Sequence, residues 1–398
     1  GNRFMTDYDL TPTAIRDALG PFGDGLDDEA AAEVYARVAW SHVAEPGDAD
    51  AGALIGALGP AVALDTVARS VPTPVGELDG LAARHAWARW RPRLDGDAVF
   101  RSLRAAHRIG AMLITPAASD WPESLNDLGA HAPVAVWVRG TVDAWRSTAV
   151  AIVGARAATS YGEHVAADLA AGIGAYGGAV VSGAAYGVDG AAHRAALAVG
   201  SPTVAFLAGG VDRAYPRGNS ALIERIAEVG ALVSELPPGA APTKWRFLQR
   251  NRLIAALGAA TVVVEAGWRS GSLNTAGHAV SLGRPLGAVP GPVTSAASAG
   301  CHRLLREYDA VAVTGADDAW ELVGRLDARE VERADGAMGG PRTDAATRVV
   351  DALSTRAGRS TDEAARGAGL SVAETGSLLG LLELEGRVRR DDRGWRRA

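Results

Sequence analysis

The chain has 398 residues, which is enough for two or three folded domains. Its composition, 48% hydrophobic and 22% charged, is that of a folded globular protein, and its single cysteine excludes an internal disulfide and a cysteine-rich metal site. The net charge of −6 argues mildly against a generic nucleic-acid binder, although binding depends on where the cations lie. No apolar run is long enough to span a membrane, and residues 1–10 lack the pattern of a secretion signal. We therefore expect a cytoplasmic protein without a membrane partner.

The N-terminal part of the chain is predicted to be helical. Residues 1–27 are acidic and unpatterned, and we interpret them as a tail. Residues 28–110 contain helix-compatible segments, separated by proline and glycine, at 29–42, 51–58 and 99–107. This pattern indicates a small all-α domain.

Residues 111–330 are predicted to form an α/β domain. Alternating apolar residues between 109 and 141 indicate strands that lead into it. Short apolar runs then alternate with helix-compatible segments, which is typical of buried parallel strands. These runs lie at 149–153, 179–181, 203–207, 231–233, 261–264, 286–289 and 310–313. The fold class we expect is a Rossmann-like, doubly wound and mostly parallel sheet.

The C-terminal part is predicted to be a separate domain. Residues 331–342 have the glycine-rich composition of a linker. Residues 343–398 predict three helices and a hairpin, which is the order of a winged helix-turn-helix. Six arginines make the hairpin basic, and they are Arg387, Arg389, Arg390, Arg393, Arg396 and Arg397.

Small residues follow several predicted strands, at the sheet edge where ligands of open parallel sheets bind. Glycine lets backbone approach closely, and helix N-termini offer free N–H groups to an anion. Three such loops predict a phosphate-receptive floor, unless they are only tight turns that need small residues for geometry. Its residues are Gly154, Arg156 and Thr159 after the first strand, Ser182, Gly183, Asp189 and His193 after the second, and Glu265, Ser270, Gly271, Ser272 and Thr275 further on.

Known nucleotide signatures are absent from these loops. Neither G-x-G-x-x-G nor the P-loop pattern occurs, which disfavours a dehydrogenase or a P-loop enzyme. We find no convincing nucleophile–base pair and no metal-ligand cluster, so we predict no catalytic residue, cofactor or metal. Asp189, His193 and Glu265 stay open as acid–base candidates of a nucleotide-handling enzyme, although a helix-borne His193 is more often structural and Asp189 can simply cap its helix.

The strongest local feature is the segment 244–252, Lys-Trp-Arg-Phe-Leu-Gln-Arg-Asn-Arg. No acidic residue occurs between Glu235 and Glu265, so its four cations lack acidic sequence neighbours. Cations follow a phosphate backbone, and aromatic rings stack on unpaired bases. Lys244, the one lysine of the chain, and Phe247 are the candidates for such contacts, with the alternative that the aromatic rings face the core.

As an ordered set, these motifs resemble the DprA (Smf) family of DNA-processing proteins. The resemblance rests on Trp121-Pro-Glu-Ser-Leu125, Val150-Ala-Ile-Val-Gly-Ala-Arg156, Ser182-Gly183, Arg250-Asn-Arg252 and Ser270-Gly-Ser-Leu273. It implies a helical, SAM-like N-terminal domain, a Rossmann-like central domain and a winged-helix-like C-terminal domain. It also implies binding of single-stranded DNA without catalysis, loading of the RecA recombinase during natural transformation or recombination, and homodimerisation. The implied DNA contacts are Arg156, Thr159, Gly183, Lys244, Phe247, Arg250, Asn251, Arg252, Ser270 and Gly271.

The chain departs from the family pattern at several positions. Ala157 and Tyr186 stand where basic residues are usual, which predicts a weaker affinity for DNA. Leu248-Gln249 and Tyr308-Asp309 also differ from the pattern. A nucleotide-handling enzyme of a related fold and a duplex-binding winged-helix regulator are the alternative functions.

Overall fold

The N-terminal region is a helical domain packed around tryptophan. The computed structural model describes residues 10–324, except 73 and 77, and residues 345–398, except 393. The helices of this region are α1 Pro12–Leu19, α2 Asp28–Val43, α3 Ala49–Leu58, α4 Pro60–Arg69, α5 Gly80–Trp90 and α6 Gly96–Arg108. Buried Trp40 and Trp90 meet edge to face, with ring centroids 5.2 Å apart. The predicted helices at 29–42, 51–58 and 99–107 are confirmed.

The interpretation of residues 1–27 as a tail is wrong for residues 10–27. Thr11 caps α1, and Ile15 and Leu19 of that helix are buried in the core of the helical domain. Two apolar residues four positions apart fix one helix face but are too few to produce a periodic signal. Residues 1–9 lie outside the described part of the chain.

Within the described residues, nine strands form one sheet in the order β1-β2-β6-β5-β4-β3-β7-β8-β9. The strands are β1 Met112–Ile114, β2 Val136–Gly140, β3 Ala149–Val153, β4 Ala179–Ser182, β5 Thr203–Phe206, β6 Ala231–Ser234, β7 Ala260–Val263, β8 Leu286–Ala288 and β9 Val311–Ala312. The seven strands β3 to β9 run parallel to one another. β2 pairs antiparallel with β6, and β1 pairs antiparallel with β2. The predicted mostly parallel, doubly wound sheet is confirmed.

Helices cover both faces of this sheet. They are α7 Ser160–Ala175, α8 Val188–Ala198, α9 Ser220–Val229, α10 Lys244–Leu257, α11 Ser272–Ser281, α12 Ala299–Glu307 and α13 Ala316–Gly324. From β3 the chain first adds β4, β5 and β6 on one side, and α10 then returns it to β7 on the other side. The strand order therefore reverses between β3 and β7, and a ligand crevice is expected at their carboxyl ends.

The C-terminal region has its own core. It consists of α14 Ala345–Ala352, α15 Thr361–Ala368, α16 Val372–Leu384 and the hairpin of β10 Val388–Asp391 and β11 Gly394–Arg397. Val349, Leu379 and Trp395 are buried together, and Ser360 and Glu363 form a capping box at the start of α15. The predicted three helices and hairpin are confirmed, whereas the predicted linker 331–342 lies outside the described residues.

No single described helix is long and apolar enough to cross a membrane, and α3 and α4 reach that length only together, across a bend of 111°.

Candidate nucleic-acid interface

Glu265 joins the loops that follow β3 and β7. Its carboxylate accepts hydrogen bonds from the backbone N–H of Thr159 at 2.9 Å and from the Thr159 hydroxyl at 2.6 Å. The Thr159 hydroxyl in turn accepts from the N–H of Gly162 and caps α7. A Cβ on Gly162 would lie 2.3 Å from the Glu265 carboxylate, so this position needs glycine. Glu265 and Thr159 therefore shape the crevice, and these bonds occupy both Glu265 carboxylate oxygens.

Most of the loop after β4 is buried and held by hydrogen bonds, although Tyr186 is 47% exposed. The Ser182 hydroxyl donates to the Ile152 carbonyl at 2.6 Å, and the Gly183 N–H donates to the Asp189 carboxylate at 3.1 Å. Burial raises the pKa of Asp189 although the Arg250 charge opposes this change. His193 is also buried, with Nδ1 2.7 Å from the Thr203 hydroxyl, and burial with the Arg250 and Arg194 charges lowers its pKa to about 3. These contacts give both side chains structural partners, although the buried His193 Nε2 has none among the described residues.

Arg250 lies beneath the surface of the crevice. Its guanidinium donates to the Gly183 carbonyl at 2.8 Å and to the Phe206 carbonyl, and only 5% of the residue is exposed. A Cβ on Gly183 would lie 2.4 Å from this guanidinium, so glycine there permits the approach. Burial lowers the pKa of Arg250 to about 10. The nearby Arg156 charge lowers this pKa further, whereas the Asp189 carboxylate raises it. The group still carries its positive charge at neutral pH.

Two guanidinium groups and a second aromatic ring pack around Phe247. The Arg156 guanidinium lies 4.8 Å from its ring centroid, and the Arg250 guanidinium lies 5.7 Å away. The ring of Tyr215 packs against it at 5.5 Å. Arg156 and Lys244 are exposed, and Lys244 is the first residue of α10, where backbone N–H groups are free. We call Arg156, Tyr215, Lys244 and Phe247 the stacking platform.

The other cations of the 244–252 segment are paired with distant acids. Arg246 forms an ion pair with Glu45 at 2.8 Å. Arg252 pairs with Glu235 at 2.7 Å and donates to the His131 and Gln249 carbonyls. The interpretation of an uncompensated cationic segment is therefore wrong for Arg246 and Arg252. Folding brings Glu45 of the helical domain against Arg246, and Glu235 of the loop after β6 against Arg252. Arg252 is 2% exposed.

The loop after β7 forms the remaining side of the crevice. The Asn251 amide donates to the Gly271 carbonyl at 3.3 Å, and the Ser270 and Ser272 hydroxyls lie 2.8 Å apart. Gly271 is exposed and has open space around its Cβ position, whereas Ser272 and Thr275 are buried. Gly154 packs against Val188, which a Cβ would approach to 2.6 Å. Of the predicted site residues in this loop, Ser270 and Gly271 are thus the accessible ones.

Two aromatic residues of the region were not predicted as contacts. Tyr215 precedes Pro216 through a cis peptide in the loop after β5, and its ring is 47% exposed beside Phe247. The Arg348 guanidinium of α14 packs over the Trp245 ring, 4.7 Å from the ring centroid. The sequence signal for Tyr215 is the Tyr-Pro pair that follows a predicted strand. Nothing in the sequence places α14 beside Trp245.

The fold and this site define a Rossmann-like α/β protein with exposed cations at the carboxyl edge of its sheet and a winged-helix domain. A family model described as DNA recombination-mediator protein A matches residues 112–324, and a model of the DprA winged helix domain matches residues 337–392. The chain belongs to the DprA family of DNA-processing proteins, and the resemblance inferred from its motifs is confirmed.

Relatives match over most of the chain. The putative DNA processing protein DprA of Mycobacterium tuberculosis is 46% identical over 369 residues, which cover 89% of this chain and 92% of the relative. The DNA processing protein DprA of Streptococcus pneumoniae is 38% identical over 186 residues, or 47% of this chain and 66% of that protein. The X-ray structure of the S. pneumoniae protein superposes with a TM-score of 0.55 at 28% identity and covers 80% of this chain and 95% of its own.

Proposed function

We propose that the chain binds single-stranded DNA at the stacking platform. The observation that carries this proposal is Phe247, whose ring centroid lies 4.8 Å from the exposed Arg156 guanidinium and which follows the exposed Lys244 by three residues on α10. Aromatic rings stack on unpaired bases, and the two cations suit the phosphates on either side. A duplex hides the faces of its bases, so this chemistry favours a single strand.

The predicted DNA contacts divide into two groups in this proposal. Arg156, Lys244, Phe247, Ser270 and Gly271 are accessible and contact the strand. The others position them: Thr159, Gly183, Arg250, Asn251 and Arg252. Arg250 adds a buried positive charge behind Phe247, which strengthens the field at the platform without a direct contact.

A nucleotide-handling enzyme is less consistent with the geometry. Both carboxylate oxygens of Glu265 are occupied by Thr159, and Asp189 is buried against Gly183. Burial holds His193 neutral, and its Nδ1 contacts the hydroxyl of the buried Thr203. None of the three is placed to transfer a proton at the crevice surface.

A duplex-binding regulator is also less consistent with the C-terminal domain. In winged helix-turn-helix proteins the recognition helix enters the major groove, and here α16 carries Glu374 and Glu383 but no lysine or arginine. Within the described hairpin, Arg387 and Arg397 form ion pairs with Glu385 and Asp351. These contacts reduce the positive charge available to phosphates.

Loading of the RecA recombinase, a role in natural transformation or recombination, and homodimerisation belong to the same proposal and rest on the family resemblance. A strand held on an open edge of the sheet leaves part of its length accessible to a recombinase. RecA ATP hydrolysis on a bound strand, measured with and without this protein, checks the loading role.

Binding of wild-type protein to oligo-dT, to a mixed-sequence strand and to the matching duplex tests the central proposal. We expect both strands to bind more tightly than the duplex, and the affinity to fall as salt rises. Preference for the duplex, or affinity that ignores salt, contradicts it. Release of free base from a panel of nucleotides would instead support the enzyme.

A further inference from the structure

We infer that Trp268 is a second base-stacking position, which receives the part of a DNA strand that extends beyond the stacking platform. This inference rests on the proposed function and adds a contact that the sequence motifs do not contain. Trp268 lies in the loop between β7 and α11 and is 58% exposed. It precedes Ser270 by two residues, so their Cα atoms lie within about 7 Å.

The exposure of Trp268 is exceptional in this chain. All ten tryptophans are in the described residues, and Trp268 alone is exposed. Trp40, Trp87 and Trp137, by contrast, are no more than 1% exposed. A large aromatic ring left in solvent contributes little to the core, and tryptophan is enriched at binding interfaces.

The Trp268 ring packs against Arg303 of α12, which is itself held by Glu307 and Tyr308. The Arg303 guanidinium lies 5.2 Å from the Trp268 ring and 5.5 Å from the ring of Tyr308. Arg303 also donates to the Tyr308 hydroxyl at 3.2 Å and to the Glu307 carboxylate at 2.8 Å. A ring that is already oriented loses less side-chain entropy when a base stacks on it.

The charge around Trp268 suits phosphates. Arg269, next to it in the chain, and Arg306 of α12 are exposed, and neither forms an ion pair with any residue that the structure describes. Glu307 neutralises part of the Arg303 charge, so these two arginines supply the net positive charge. An exposed ring beside free cations repeats the chemistry of the stacking platform, one strand further along the sheet edge.

Affinity for oligo-dT of increasing length tests this position, with Trp268→Ala, Trp268→Phe and Lys244→Ala compared with wild type. Tyr176→Ala is the control, because Tyr176 is 47% exposed at the far end of α7. For strands of about 20 nucleotides, Trp268→Ala is expected to weaken binding roughly fivefold or more, and Trp268→Phe and Tyr176→Ala to change it little. For strands of about five nucleotides, which fill the stacking platform alone, Trp268→Ala should match wild type.

Photocrosslinking of wild-type protein to an iodouracil-substituted strand gives a second readout that needs no variant. A crosslink mapped to Trp268 on the long strand supports the inference. The inference about Trp268 is overturned if Trp268→Ala binds like wild type at every length, or if it weakens binding equally at both lengths. In either case, weaker binding by Lys244→Ala leaves the proposed function standing. Absence of binding by wild type removes both.

Discussion

Arg246 and Glu45 form a two-point ion pair, with nitrogen–oxygen distances of 2.8 and 3.0 Å, between residues 201 positions apart. Glu45 also pairs with Arg93 at 2.7 Å and is buried. Burial by itself would raise the pKa of Glu45, but the Arg246 and Arg93 charges outweigh it and lower the pKa below its usual range. The pair fixes the first turn of α10, which carries Lys244, against the helical domain.

Glu45→Gln should destabilise the protein by about 3–5 kcal/mol, because it leaves two buried guanidinium groups without a counter-charge. Urea denaturation measures the change. Glu224→Gln is the control, since Glu224 pairs with Arg139 at the surface with a side chain 52% exposed and should cost about 1 kcal/mol or less. Equal losses in the two variants contradict the assigned role of Glu45.

Arg252→Ala should act on stability rather than selectively on DNA binding. The change removes the pair with Glu235 and two bonds to backbone carbonyls, for a cost of about 3–5 kcal/mol. In the folded fraction, the salt dependence of oligo-dT binding should stay that of wild type. A lower salt dependence with unchanged stability would show that Arg252 contacts phosphate directly.

Phe247→Ala should weaken binding to oligo-dT by about 1–3 kcal/mol through the loss of base stacking. Phe247→Tyr keeps the ring and should stay close to wild type. The measurement is fluorescence anisotropy of a labelled strand at one salt concentration. Equal affinity of the alanine and tyrosine variants would mean that the ring only packs against Tyr215.

His193 should make the protein less stable as the medium becomes acidic. Its folded pKa is lowered to about 3, whereas an unfolded histidine titrates near about 6.5. Between these values the unfolded chain binds more protons, so the stability that is present above about pH 6.5 is lost as the pH falls. His193→Gln should reduce the slope of unfolding free energy by up to about 1.4 kcal/mol per pH unit in this window. His107→Gln, at an exposed position of α6, is the control and should leave the slope unchanged.

The sequence predicts much of the architecture, because apolar runs and breakers are local signals. Runs such as 149–153 and 231–233 correspond to β3 and β6, and the three C-terminal helices and the hairpin occur as predicted. α1 was missed because its core contribution depends on where α2 and α6 lie in space, which no short window contains.

The candidate site is predicted less completely for the same reason. The loops at Gly154, Ser182 and Ser270 meet because parallel strands end at one sheet edge, so their residue types are informative. Ion pairing is not local: Glu45 neutralises Arg246 from another domain, and only the fold shows that Arg250 lies under Phe247 rather than at the surface. Tyr215 joins the platform from the loop after β5, which the sequence pattern did not single out as part of the site.

The dependence of oligo-dT affinity on salt concentration, compared between wild type and Lys244→Ala, tests the central claim most directly. We expect Lys244→Ala to bind strands of every sequence more weakly, with a log–log salt slope lower in magnitude by about 1, as for the loss of one phosphate contact. Arg84→Ala, at an exposed position of α5, is the matched control and should leave the slope unchanged. A Lys244→Ala variant with wild-type affinity and an unchanged slope would contradict the account.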